Sequence, residues 1–132
     1  MNPKQFLQIG GVILILVGVL GFIGVIGPTV EKSIFGPTWW FDNGENWAHL
    51  ILGVVGFLAA FLVPAGTQRG LVLLLGVLGV LIGIYSLFRP DFLGANLENP
   101  ADTILHLAVG AWALLTARTK KANVMMTSGP AM

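Results

Sequence analysis

Long apolar stretches at about 6–26, 47–63, 71–88 and 103–117 alternate with short polar segments along the chain. Each approaches the roughly 17 to 25 residues that an α-helix needs to cross a bilayer, so the pattern predicts four transmembrane helices. The second and fourth stretches are at the short end of that range, but polar cap residues lead into both and extend the helix into the headgroup region. The first follows Lys4 in the manner of a signal peptide. No Ala-x-Ala cleavage pattern comes after it, and Gly18, Gly21 and Gly24 form a stripe suited to helix packing, so it is expected to be a retained helix.

The polar residues that open the second and fourth stretches repeat. Asp42-x-x-Glu45-x-x-x-His49-x-x-x-Gly53 returns 57 residues later as Asn99-x-x-Asp102-x-x-x-His106-x-x-x-Gly110, and the two copies hold both histidines of the chain. These spacings put an N-cap, a carboxylate, an imidazole and a small residue on one helical stripe. Asp42 with Glu45, and Asn99 with Asp102, occupy capping-box positions, with Pro100 at the first helical position. Gly18-Val19-Leu20-Gly21 likewise reappears as Gly76-Val77-Leu78-Gly79, at an offset of 58.

The chain therefore reads as two helical hairpins, repeat A over about 6–63 and repeat B over about 71–117, followed by a cytoplasmic tail at 118–132. Two crossings per repeat return the chain to its starting side. The copies should thus share one orientation, related by a pseudo-two-fold axis along the membrane normal. Packing of helices two and four near that axis would make His49 and His106 face each other at one depth.

Composition supports the membrane reading, since 55% hydrophobic and 10% charged residues, with a mean hydropathy of +0.85, leave too few polar side chains to cover a globule. Eighteen glycines would weaken soluble helices but suit helices that approach closely in lipid. The absence of cysteine excludes disulfides, thiolate nucleophiles and Cys-ligated zinc or iron–sulfur sites.

Charge sorts by side. Lys4, Arg69, Arg118, Lys120 and Lys121 belong to the N-terminus, the loop between helices two and three, and the C-terminus, which hold no acid. The opposite loops hold all six acids, Glu31, Asp42, Glu45, Asp91, Glu98 and Asp102, against Lys32 and Arg89. The positive-inside rule then puts both termini in the cytoplasm of a multi-pass protein of the cell (inner) membrane. No basic patch with interleaved aromatics points to nucleic acid.

Aromatic residues gather on the acidic side: Phe35, Trp39, Trp40, Phe41 and Trp47 before helix two, then Tyr85, Phe88 and Phe92 near the end of helix three. Rings with an apolar body and a polar edge anchor at the interface, a role expected of Trp39, Trp40 and Trp47. The first outer loop, residues 28–41, is expected to lie folded on the membrane surface.

Asn46-x-x-His49-Leu50-x-x-Gly53 and Asn99-Pro100-x-Asp102-x-x-x-His106-Leu107-x-x-Gly110 resemble the paired motifs of a bacterial family of small four-helix membrane proteins of unknown function. The resemblance spans roughly 6–117 and implies a membrane location, with no activity attached.

Two kinds of chemistry fit the histidine stripes. Glu45, His49, Asp102 and His106 make a two-His, two-carboxylate set of the kind that holds zinc, iron or manganese in a helix bundle. The imidazoles could instead ligate haem or a chlorophyll-type pigment, with Gly53 and Gly110 leaving room for the macrocycle. The plainer reading has both imidazoles hydrogen-bonding across the interface, to each other, to Asn46 or Thr103, or to a loop carbonyl. Ser33, Ser86, Thr38 and Thr103 lack a Gly-x-Ser-x-Gly turn or a zinc helix around them, so no enzyme is expected.

The expectation is an all-α, integral membrane four-helix bundle of two parallel hairpin repeats, with Gly18, Gly21, Gly24, Gly53, Gly76, Gly79, Gly83 and Gly110 at helix contacts. Its function is that of a structural or accessory subunit, binding the lipid bilayer and other membrane proteins or a second copy of itself, with no cofactor. A cofactor-binding protein using His49 and His106 is the rival.

Overall fold

Four α-helices carry the chain: α1 Pro3–Phe22, α2 Asn43–Leu62, α3 Ala65–Ser86 and α4 Ala101–Thr127. The computed structural model describes residues 1–127, with side chains described through residue 118. The expected tail at 118–132 begins inside α4, which continues to Thr127, and residues 128–132 lie outside the described residues.

Local chemistry sets the helix ends. α1 starts earlier than its apolar run because Asn2 and Gln5 form a reciprocal capping box, with Pro3 at the first helical position. It stops at Phe22, short of the expected 26, where Gly24 turns the backbone into the left-handed region at φ +86° and the N–H groups of Val25 and Ile26 return to the Leu20 carbonyl. Gly24 is therefore a turn residue outside the helix, not part of a packing stripe. α2 opens on the expected Asp42–Glu45 capping box.

The connection from α2 to α3 is only Val63 and Pro64, so Arg69, expected in a loop, lies within α3. There its Nε donates to the Ala117 carbonyl of α4 at 3.1 Å. Buried Gln68 donates through Nε2 to the carbonyls of Ala60 (3.0 Å) and Val63 (3.1 Å), which α2 leaves unpaired at its C-terminal end. Gln68→Leu removes both bonds and is expected to cost about 1–3 kcal/mol. Loss of helical circular dichroism on heating in detergent micelles measures it, and an unchanged midpoint would show that these carbonyls find another donor.

α1 packs along α2, and α3 along α4. Between the pairs α1 touches both α3 and α4, whereas α2 and α4 make little direct contact among the described residues. Both within-pair interfaces are closed by glycines. A Cβ placed on Gly53 would stand 2.7 Å from the Gly11 carbonyl oxygen and 2.7 Å from the Ile15 nitrogen, and one on Gly110 would stand 3.0 Å from the Gly76 oxygen and 2.7 Å from the Val80 nitrogen. Gly18 lies against Leu50, and Gly83 against Leu107. Gly21 and Gly79 pack inside these interfaces as well, against Asn46 and against His106 and Gly110. Gly11 was not among the expected packing residues.

These contacts correct the register inferred for the first helix of each pair. Gly53 and Gly110 are 57 residues apart, as in the motif, but the glycines facing them, Gly11 and Gly76, are 65 apart, as are Gly18 and Gly83. The Gly18–Gly21 and Gly76–Gly79 match at 58 is seven residues, two helical turns, out of step with the contacts. Glycines recur at a spacing of seven in both helices, so the slipped alignment preserves the pattern. The connection at 23–42 is also longer than the one at 87–100, which moves the two helices by different amounts.

The buried apolar core sits where α1 starts and α2 ends: Phe6, Leu7, Ala59, Ala60, Val72, Ala113 and Ala117. The Phe6 and Trp112 rings meet edge to face at 4.5 Å. At the other end the two connections cover the bundle, the second through a short antiparallel β-hairpin of β1 Asp91–Phe92 and β2 Ala95–Asn96.

Candidate functional site

The motif residues meet at the end covered by the connections. Residues 23–42 fold back on themselves: Ile34 N–H donates to Val25 O (2.9 Å), Phe41 N–H to Ile26 O (2.8 Å), and Ser33 Oγ to Trp39 O (2.6 Å) while accepting from Phe35 N–H (3.1 Å). This fold brings Trp39 and buried Phe41 over the helix starts. Phe35, Trp39, Phe41 and His49 form a row of rings with successive centroids 5.2, 5.0 and 5.1 Å apart.

At this end, two hydrogen bonds cross from one helix pair to the other. Trp39 Nε1 donates to Asp102 Oδ1 at 3.0 Å, and Asn96 N–H donates to Asp42 Oδ2 at 2.6 Å. Three further carboxylate oxygens accept N–H groups next to their own helix starts. Asp42 Oδ1 accepts from Glu45 N–H (2.9 Å), Glu45 Oε2 from Asp42 N–H (3.2 Å), and Asp102 Oδ2 from Glu98 N–H (2.6 Å). Fully buried Asp102 thus spends both oxygens on N–H donors.

The second motif does not cap as expected. Asp102 and Glu98 exchange bonds, since Asp102 N–H returns to Glu98 O at 2.7 Å, and exposed Asn99 takes no part. Helix α4 begins at Ala101, after Pro100. The reach of four residues, rather than three, lets Asp102 cap the chain entering the helix while also receiving Trp39.

The histidines are placed differently from each other. His106 Nδ1 lies 2.8 Å from the Asp102 carbonyl of its own helix, and buried His49 Nδ1 turns to the equivalent Glu45 backbone without closing a full hydrogen bond. No hydrogen bond joins the two imidazoles. The expected bonds to Asn46 and Thr103 are not made either. Thr103 Oγ1 pairs with Ser86 Oγ at 2.6 Å, while Asn46 lies against Gly21 and turns Nδ2 to the Phe41 carbonyl at 3.5 Å. Each of these side chains is spent within its own helix pair, because α2 and α4 do not pack on each other.

Among the described residues no three His, Asp or Glu side chains gather as a metal-holding group, so Glu45, His49, Asp102 and His106 do not converge as a ligand set. The room expected for a macrocycle at Gly53 and Gly110 is filled by the backbones of α1 and α3. Glu45 Oε1 and Asn46 Oδ1 are buried without partners. On the exposed rim, the Glu31 carboxyl is held below its ordinary range by a hydrogen bond from its own backbone and then by the Thr29 hydroxyl.

Of the three tryptophans expected to anchor the interface, Trp39 turns its N–H inward to Asp102, half-buried Trp40 sits beside it in sequence, and exposed Trp47 leans on the Phe22 ring at 5.0 Å. The inward role of Trp39, and the parts played by Ser33 and Asn96, had no sequence signal. The Ser86–Thr103 pair was foreshadowed only by Thr103 beginning the fourth apolar run. Comparisons with protein-family models, with curated proteins and with solved structures give no match for this chain.

Proposed function

We propose that the chain is an integral membrane protein that crosses the bilayer four times, with both termini cytoplasmic and its hairpins as equally oriented repeats, and that it serves as a structural or accessory subunit of a membrane assembly. The observation that carries this reading is the division between a glycine-closed interior and an apolar exterior. Three helices of 20, 20 and 22 residues are long and apolar enough to cross a bilayer, and most of each faces outward rather than into the protein. At about 1.5 Å per residue such helices match a hydrocarbon core of about 30 Å. Outward-facing Ile13, Leu16, Leu58, Leu74 and Leu81 form a surface that water would reject and lipid or a partner helix would accept.

Orientation follows from charge. Lys4, against the Phe61 ring, and Arg69, against Ala117, lie at one end, while the acids Asp42, Glu45, Glu98 and Asp102 lie at the other. The basic end faces the cytoplasm. The lack of native cysteine makes the test direct. Ile34→Cys should react with a membrane-impermeant thiol reagent in intact cells, and Gln5→Cys only after lysis. The reverse pattern would invert the topology, and release of the protein by alkaline carbonate would remove it from the bilayer altogether.

As a subunit, the protein should migrate well above its monomer mass in native electrophoresis after mild solubilisation. Leu81→Arg on the exposed face of α3 should collapse that species while preserving helicity. A monomer in every mild detergent would refute the subunit reading. The cofactor reading keeps one supporting observation, the buried His49 Nδ1, which closes no full hydrogen bond. A visible absorption band that disappears in the His49→Ala/His106→Ala protein would favour it.

A further inference from the structure

Beside the motif cluster, the second connection forms a depression of about 320 Å³ lined by buried Ser86 and Leu97 together with Arg89, Asn96, Glu98 and Asn99. Its size is at the lower end of the about 300–1,000 Å³ typical of ligand sites. Two opposite charges line it without neutralising each other. The Arg89 guanidinium makes no hydrogen bond or ion pair among the described residues, and Glu98 gives one carboxylate oxygen to Asn96 Nδ2.

The charge pair selects the ligand. A simple anion attracted to Arg89 would meet the Glu98 carboxylate, and a simple cation attracted to Glu98 would meet the guanidinium. A ligand carrying a phosphate and an ammonium a few bonds apart satisfies both, through a forked Arg–phosphate contact and N⁺–H bonds to Glu98. The surroundings suit a lipid form of that ligand. Leu87 and Phe88 join the lining, Phe88 is 80% exposed, and Leu93, at the tip of the adjoining β-hairpin, is 92% exposed. Leu93 also holds a left-handed φ of +51°, unusual for a bulky side chain, which turns it outward beside Gly94.

We propose that this depression binds the phosphoethanolamine headgroup of a phospholipid in the outer leaflet, with Arg89 on the phosphate, Glu98 on the ammonium, and Leu87, Phe88 and Leu93 against the glycerol and upper acyl region. The inference rests on the membrane reading given above. Position at the end of α3 puts the pocket at headgroup depth, where an unpaired arginine beside an exposed phenylalanine finds both a phosphate and an apolar boundary.

The test uses the full chain in detergent micelles, titrated in turn with dioleoylphosphatidylethanolamine, dioleoylphosphatidylglycerol and free phosphoethanolamine, with bound ligand read by native mass spectrometry. The ethanolamine lipid should bind in preference to the glycerol lipid. Arg89→Gln and Glu98→Gln should each weaken it about tenfold, the effect of losing one charge-assisted bond. Free phosphoethanolamine should bind much more weakly than the lipid. Equal binding of both lipids, or unchanged binding in both variants, would overturn the site, and tighter binding of the free headgroup than of the lipid would overturn the lipid as its source. Far-ultraviolet circular dichroism checks that both surface variants fold. Carbonate extraction separates the two readings: a protein retained in the membrane yet indifferent to headgroup refutes this site alone.

Discussion

Gly53→Leu is expected to abolish the folded protein, or to leave it with sharply reduced yield and an unfolding midpoint too low to survive purification. The glycine is buried where α1 and α2 touch backbone to backbone. A Cβ there would sit 2.7 Å from both the Gly11 oxygen and the Ile15 nitrogen, and 2.9 Å from Ile15 Cγ1. Two of those three atoms are main chain and cannot rotate away, so the helices must separate. Forcing extra carbons into a packed interface costs about 1–3 kcal/mol and sometimes more. Separation would then weaken the Gly18–Leu50 contact further along the same seam.

Gly70→Ala is the matched control, because a Cβ at Gly70 meets nothing within 4 Å and alanine favours a helix interior by about 0.8–1 kcal/mol. Thermal unfolding followed by circular dichroism in micelles should therefore move in opposite directions for the two variants. A Gly53→Leu protein with an unchanged midpoint would mean that α1 and α2 do not meet at this residue.

Asp102→Ala is the second large effect expected, and it acts between the helix pairs. Both carboxylate oxygens are occupied, by Trp39 Nε1 and by Glu98 N–H, and the side chain is fully buried. Truncation leaves two partly buried donors without acceptors, at about 1–3 kcal/mol in total. It also frees Trp39, with the ring row that ends on His49. Asp102→Asn keeps one acceptor oxygen and should fall between wild type and alanine.

A double-mutant cycle with Trp39→Phe isolates the bond that crosses the bundle, for which a coupling of about 0.5–3 kcal/mol is expected. Strictly additive effects would show that tryptophan and aspartate act independently. The coupling also bears on assembly, since the other polar tie at this end is Asn96 N–H to Asp42.

Much of the molecule is legible in the linear pattern. Four apolar runs gave four helices, the Asp42–Glu45 box starts α2 as its spacing requires, and the glycines at 18, 21, 53, 76, 79, 83 and 110 lie at helix contacts. Capping and close approach are local or periodic properties, set within a few residues or by the 3.6-residue repeat, so the sequence carries them openly. Gly24 fails for a reason equally local but unseen in periodicity. It continues the spacing of Gly18 and Gly21, yet it is used for its left-handed φ after the helix has stopped.

The site was legible only as a set of residues, not as an arrangement. Asp42, Glu45, His49, Asp102 and His106 do lie at one end of the bundle. Their partners were decided by elements distant in sequence: Trp39 is 63 residues from Asp102, and Asp42 is 54 from Asn96. A pairing at such separations depends on how a connection folds and which helices touch, neither of which a periodic pattern encodes.

The amino-acid order by itself determined the helix count, the apolar character of the exterior, the small-residue faces and the segregation of acids from bases, because each follows from side-chain size, polarity and short-range spacing. Only the tertiary structure decided that α1 rather than α2 bridges the two helix pairs, that the glycine register is 65 rather than 58, and that the imidazoles share an end without pairing. Those outcomes depend on the unequal lengths of the two connections and on backbone contact between particular glycines, and packing selects among registers that the sequence pattern leaves equivalent.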